Sequence, residues 1–425
     1  MTTAGARTVI GGRRPSGDME DRVDRASTAA APFRGAYVLA VFAALNFFHY
    51  ATRNVVLPMY ADLRASFALT NADLGLLTTA FMAAHAVAAI PAGWLADHVD
   101  RLKVVAIGAS VWCAGAFGVA AAGGRGDLLA ARAVAGLGTG ALVPVANALL
   151  CDAFPAGAKA RTLSIFNLGL FAGGAAGFAI GAVCGYPLGP LLVAGPPAVL
   201  AALAARIRVP RRRTARVAPP TWRQFAADCA GTLRVPALRW LMAGAVCVAF
   251  AAGGYLAWFV DFVARTKGFS VASGTLFFGG CALTGGLLGV WSGGAIGDWI
   301  ARRRRGGRLT AFAAGLALAV PFALASIYTD RGWAFYAVAW GLMYFISWYH
   351  GPLAAAVDDL VPPARAATAQ AALIASMHLV GTAPSAWIVG LAADAVGLRS
   401  ALLVPTAALA IAAACGAIGA RRAAR

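Results

Sequence analysis

Arg53 is the residue whose position asks for an explanation. It falls inside an apolar run, 36–60, with no acid between Tyr37 and Tyr60 to pair with it. On insertion scales an Arg at the centre of a membrane helix costs about 2.5–3.5 kcal/mol, so one persists where it faces a cavity or a partner. Asn46 and His49 precede it at spacings that put all three on one helical face. A guanidinium fork grips carboxylate or phosphate oxygens in pairs. The face therefore reads as a seat for an anionic substrate group. The plainer alternative is an Arg paired with an acid on another helix, or one reaching outward to the surface.

Other candidates lie in later apolar runs. Thr139 and Asn147 share the run 128–151 and could line the same path or act as interhelical glue. Arg132, near the start of that run, suits a coupling role or a bond to loop carbonyls or Asp127. Tyr255 and Trp258 in 237–263, and Tyr344 and Trp348 in 333–357, recur at helical spacing. They could stack on the body of an aromatic substrate, or belong to an interfacial belt. Acids are scarce, since the one Glu of the chain is Glu20. That leaves His49, Asp261 and His378 as candidates for proton coupling, because His titrates near neutrality. Enzyme chemistry finds no foothold: there is no GxSxG, no HExxH and no Walker A Lys. The seven Cys form no CxxC and read as small apolar fillers, so neither a metal nor a cofactor is expected.

Positioning these side chains calls for helices in a membrane. Of 425 residues, 60% are hydrophobic and 12% charged. Soluble domains carry roughly a quarter charged residues, and disordered chains are poor in apolar ones. The net charge of +19 prompts a nucleic-acid reading, but the Arg residues stand between long apolar runs. What remains is an all-α polytopic membrane protein. Twelve runs can cross a bilayer: 36–60, 73–96, 103–123, 128–151, 162–185 and 188–206, then 237–263, 273–299, 309–328, 333–357, 367–393 and 399–420.

With both termini on one side, that side holds 28 of the 36 Lys and Arg residues. The bias predicts cytoplasmic termini and a plasma (inner) membrane location. Residues 1–35 read as a cytoplasmic tail, 36–206 as one six-helix bundle, 237–420 as a second, and 421–425 as a cytoplasmic C-terminus. The basic connector 207–236 carries Trp222, Phe225, Cys229 and Leu233 at the spacing of a surface-lying amphipathic helix. The expected partners are a small-molecule substrate and the lipid bilayer, with no nucleic acid, and the chain is expected to be a monomer.

An internal repeat supports the two bundles. Gly93, Asp97 and Arg101 follow the second run as G-x3-D-x3-R, and Gly294, Asp298 and Arg302 repeat the pattern after the eighth, 201 residues on. Asp152, Pro155 and Arg161 are echoed by Asp359, Pro362 and Arg365. Two features at nearly one offset mean two related six-helix halves. The paired acids can accept from exposed helix N–H groups or pair with Arg, so they are candidate gates that lock the halves at one face. Arg132 joins them as a gating candidate.

These turns resemble the loop signatures of the major facilitator superfamily, with His98 and Asp100 in place of the usual Arg and Gly. Arg132, Gly136 and Gly138 resemble its fourth-helix signature. Helix 8, with Thr284, Gly285, Gly286 and Gly289, and helix 11, with His378, Gly381, Thr382 and Ser385, are similar to the Spinster-like and organic-anion branch. The resemblance implies twelve helices in two pseudo-symmetric bundles that rock around a central site lined by helices 1, 4, 7 and 10. Those relatives carry acids where this chain has Thr52, Thr139 and Thr382. The function expected is secondary transport by alternating access of a small organic anion, a carboxylate or aromatic acid. The alternatives are export of amphipathic lipids or drugs, and a membrane sensor that moves nothing.

Overall fold

The computed structural model describes residues 35–154, 158–207, 231 and 235–424. The N-terminal tail and the connector, with its expected amphipathic helix, lie outside the described residues, as do the side chains of Asp97, Asp152 and Arg365.

Twelve helical spans account for the described chain. The first half holds α1 (Gly35–Phe67), α2 (Asn71–His98), α3 (Arg101–Ala120), α4 (Arg125–Gly140 continuing in Leu142–Ala153), α5 (Lys159–Cys184) and α6 (Leu188–Ala205). The second holds α7 (Pro236–Thr266), α8 (Val271–Ala301), α9 (Gly307–Tyr328), α10 (333–360), α11 (363–396) and α12 (Leu398–Ala424). Among the described residues, eleven helices are long and apolar enough to cross a membrane. The twelfth span, α10, is divided into pieces of 14 and 11 residues. Both described ends of the chain lie at one face of the bundle, here the termini end. The opposite face is the far end.

Local chemistry sets the starts. Thr70 caps α2 through a reciprocal box with Asp73, and the Ser270 hydroxyl accepts from the Ser273 N–H at α8. Asp100 caps α3 by accepting from the Leu102 N–H at 2.9 Å.

Five spans are broken inside, each just before a proline; one is α12, interrupted at Leu402, three residues before Pro405. Helix α1 stops at Asn54, and a 3-10 turn at Leu57–Met59 carries Pro58. Helix α4 is interrupted at Ala141, three residues before Pro144. Helix α10 passes through a 3-10 turn at Ser347–Tyr349, ahead of Pro352. Helix α11 widens into a π-helical segment at Met377–Thr382, ahead of Pro384. A proline lacks the N–H that would bond the carbonyl four residues earlier, so the preceding turn must rearrange. Pro91 and Pro321 lie in unbroken helices, so neighbours decide which prolines interrupt.

The packing is two-fold. In the first half α1 packs on α5, α2 on α4, and α3 on α4 and α6. In the second, α7 packs on α11, α8 on α10, and α9 on α10 and α12. The halves meet where α2 lies along α11 and α5 meets α8, and the same symmetry relates these two seams. On the first seam the backbones touch. Gly75 faces the main chain of Ala386 and Trp387, and Gly390 faces that of Asn71, so a Cβ at either glycine collides with backbone.

Candidate functional site

Four of the breaks place a polar side chain. Arg53 is the penultimate residue of the first piece of α1, Thr139 and Asn147 flank the break in α4, Tyr349 ends the turn in α10, and His378 lies in the π-helical segment of α11. The Arg53 guanidinium stands over the Tyr50 ring at 5.9 Å. Its charge lies within Coulombic reach of Tyr50, Tyr349, His49, His85 and His378. Arg53 is thus where α1, α2, α10 and α11 converge. No carboxylate pairs with it among the described residues.

Around it the imidazoles form a chain. The His49 and His85 rings are 5.2 Å apart, and His85 and His378 are 6.2 Å apart. His85 Nδ1 is 3.2 Å from the Thr139 hydroxyl. On the helices that carry these residues several buried polar atoms have no protein partner: His49 Nδ1, His378 Nδ1, and the side-chain oxygens of Asn46 and Asn147. Buried polar groups are nearly always satisfied, so such a gathering is what a polar ligand would complete. Asn46 also does structural work, giving its amide N–H to the Phe166 carbonyl of α5 at 2.9 Å.

Thr52, Thr139 and Thr382 are all engaged. Thr52 accepts from the Trp112 indole N–H at 3.0 Å, Thr139 donates to the Gly136 carbonyl at 2.9 Å, and Thr382 donates to the Met377 carbonyl at 3.3 Å.

Arg132 is 1% exposed and spends its donors on main chain. It bonds the carbonyls of Leu77 at 3.3 Å, Thr52 at 3.2 Å and Arg53 at 3.4 Å, and its guanidinium lies over the Phe81 ring at 4.3 Å. It therefore supports the broken end of α1. Its carbonyl partners lie on helices, not on a loop.

The four aromatic residues expected to line the path each pack against neighbours of their own. Tyr255 is buried with its hydroxyl 2.6 Å from Thr406. Trp258 is buried against Tyr60, ring centroids 5.0 Å apart, and donates to the Ala386 carbonyl at 2.9 Å. Tyr344 stacks on Trp340, which is held by Thr284 of α8. Trp348 is wedged against Gly293 and Gly315, between α8 and α9. Spacing put these residues on common faces, but Tyr255, Trp258 and Trp348 are buried between helices, Trp258 against the first half, and Tyr344 is half-buried beside the exposed Trp340. Tyr50 and Tyr349 take the places beside Arg53.

Asp261 lies away from the imidazoles, at the far end. It pairs with Arg64 of α1 at 3.2 Å and with Arg265 at 3.3 Å. Both cations also bond the Asn71 side-chain oxygen, at 3.0 and 3.1 Å. Asp394 of α11 caps the start of α2 beside them. These contacts tie the halves at that end. Nearby, Lys267 donates to the carbonyls of Ile327 and Thr329, and burial there pulls its ammonium below the ordinary Lys range, with Arg399 adding to the shift.

Of the repeated turns, the second is described in full. Asp298 accepts from Arg308 at 3.0 Å, and Arg308 reaches on to Asp359 of α10. This bridge stays within the second half. Arg302 is exposed, so Arg308 is the partner that the spacing pattern missed. Gly93 lies free of close neighbours, and Arg101 opens α3.

Twelve spans in two related halves, broken beside a central charge, define a membrane transporter that works between two halves. The comparisons identify the family. The Major Facilitator Superfamily model matches residues 42–383, and the chain belongs to that superfamily. Protein spinster homolog 1 of Homo sapiens is 28% identical over 400 residues, covering 86% of this chain and 74% of the relative. A bacterial homologue of the human lysosomal transporter Spinster, solved inward-facing and unoccupied, superposes with a TM-score of 0.82 at 19% identity, covering 93% of this chain and 98% of that one. The nucleoside transporter NupG superposes with a TM-score of 0.73 at 12% identity, covering 90% and 98%. The chain is a multi-pass membrane transporter of the Spinster-like branch.

Proposed function

We propose that this transporter moves a small organic anion, a carboxylate or aromatic acid, and holds it on Arg53. The observation that carries the reading is a guanidinium with no carboxylate partner among the described residues, within Coulombic reach of His49 and His378, whose buried Nδ1 atoms lack a partner. A carboxylate would satisfy the fork and the histidine groups around it. The bonds tying α2 to α11 and α1 to α7 describe a state shut at the far end, with substrate reaching Arg53 from the termini end. The surplus of Lys and Arg supports cytoplasmic termini in the plasma (inner) membrane, with the basic connector joining the two bundles. The turns at Asp97 and Asp298 then gate the cytoplasmic side, and the chain works as a monomer in lipid.

A thermal-shift screen of organic acids on the purified protein tests this. Acids should raise the melting temperature of the wild type and leave Arg53→Gln unmoved. A second reading is export of an amphipathic lipid or drug. Stabilisation by neutral amphiphiles, equal in both proteins, would select it.

A further inference from the structure

We propose that His49, His85 and His378 form a shared proton site that fills as an anion settles on Arg53, so that anion and proton cross together. The inference rests on the anion reading and adds the coupled ion to it. The three imidazoles run from α1 through α2 to α11, at centroid spacings of 5.2 and 6.2 Å. They span both halves, so the chain is made and broken as the halves move. His49 is 2% exposed, and its Nδ1 and that of His378 have no partner. The Thr139 bonds point to one tautomer of His85. The Thr139 hydroxyl gives its proton to Gly136 at 2.9 Å, so it accepts from the His85 Nδ1–H at 3.2 Å. The lone pair of His85 then sits on Nε2, the atom that can take a proton.

The groups facing this chain are Tyr50 and Arg53 from α1, Trp112 from α3, Arg132 and Thr139 from α4, and Tyr349 with His350 stacked on it from α10. No carboxylate stands among them within the described residues. Burial, and after it the fixed charge of Arg53, oppose a positive charge on the rings. A carboxylate on Arg53 removes the part due to Arg53. Anion and proton therefore favour each other, and linkage makes each raise the other's affinity by one factor. The proton leaves water and forms an N–H bond at an imidazole nitrogen while one anion enters. The pair adds no net charge, so a pH gradient drives it and membrane potential does not.

The test uses the purified full chain in lipid nanodiscs with benzoate as probe. Titration calorimetry in buffers of different ionisation enthalpy counts the protons taken up per benzoate bound. The expected result is net uptake between zero and one near neutral pH, with affinity tightening up to about tenfold per unit fall in pH. In His85→Asn, and separately in His378→Gln, both the uptake and the pH dependence should shrink. A thermal melt reports whether each variant folds, and either one suffices. Arg53-dependent benzoate binding without proton uptake overturns the coupling and leaves the anion reading standing. No Arg53-dependent binding overturns the anion reading, and this proposal with it.

Discussion

Asp394 near the end of α11 accepts from the backbone N–H of Asn71 at 3.0 Å and from its side-chain amide at 2.8 Å. A third bond comes from the Ala72 N–H at 2.8 Å. A carboxylate of the second half thus caps the first turn of a helix in the first, where the exposed N–H groups and the helix dipole both favour negative charge. The bond exists only while the halves touch at the far end. Asp394→Ala should therefore weaken that closure. The pair is solvent-exposed, so the loss is about 1 kcal/mol, or roughly a fivefold shift toward the far-end-open state. Labelling of a cysteine placed at the far end reads the shift as a faster rate.

The glycine seam acts on the same closure by volume. Gly75→Val puts carbon into the backbone of Ala386 and Trp387. Helices α2 and α11 must separate, and transport should fall while far-end labelling rises. Wild-type labelling in this variant would contradict the seam.

Asp261 holds two cations, Arg64 and Arg265, whose side chains are 30% and 43% exposed. Such pairs are each worth about 0–1 kcal/mol. Asp261→Asn should lower the melting temperature modestly and favour far-end opening. Adding Arg64→Gln to Asp261→Asn should cost less than the two single changes together, as a double-mutant cycle on the melting curves would show.

Arg132 is buried and bonded to three carbonyls, so Arg132→Ala should cost roughly 3–5 kcal/mol, in the range for exposing unpaired buried groups. Arg132→Lys keeps the charge but loses the fork, and should recover only part of the melting temperature. Because one carbonyl belongs to Arg53, the Lys variant should also bind anions more weakly.

The two sets of aromatic residues should separate in experiment. Tyr255→Phe removes a buried hydrogen bond and should cost about 1 kcal/mol of stability without touching substrate affinity. Tyr349→Ala, next to Arg53, should weaken binding. The reverse assignment in a binding assay would restore the aromatic face read from spacing.

Much of the fold was legible because bilayer crossing imposes it on composition. Long apolar runs and a doubled G-x3-D-x3-R turn suffice for twelve spans in two halves. Arg53 was legible for the same reason, as a charge where charge is expensive. Tyr255, Trp258, Tyr344 and Trp348 show where legibility ends. Periodicity says which residues share a face and nothing about what the face meets. The breaks are a similar case, since Pro91 and Pro321 look no different in sequence from Pro144 and Pro384. Asp394 and Asn71 are 323 residues apart, and no local signal joins them. His85 was visible as an intramembrane His, but its place between His49 and His378 depends on how α2 packs between the halves.

The central claim is that Arg53 holds an anionic substrate. The direct measurement is uptake of radiolabelled benzoate into proteoliposomes carrying wild type or Arg53→Ala at equal, verified insertion. The account predicts uptake in the wild type and loss to background in the variant. Uptake in Arg53→Ala at the wild-type rate would contradict it.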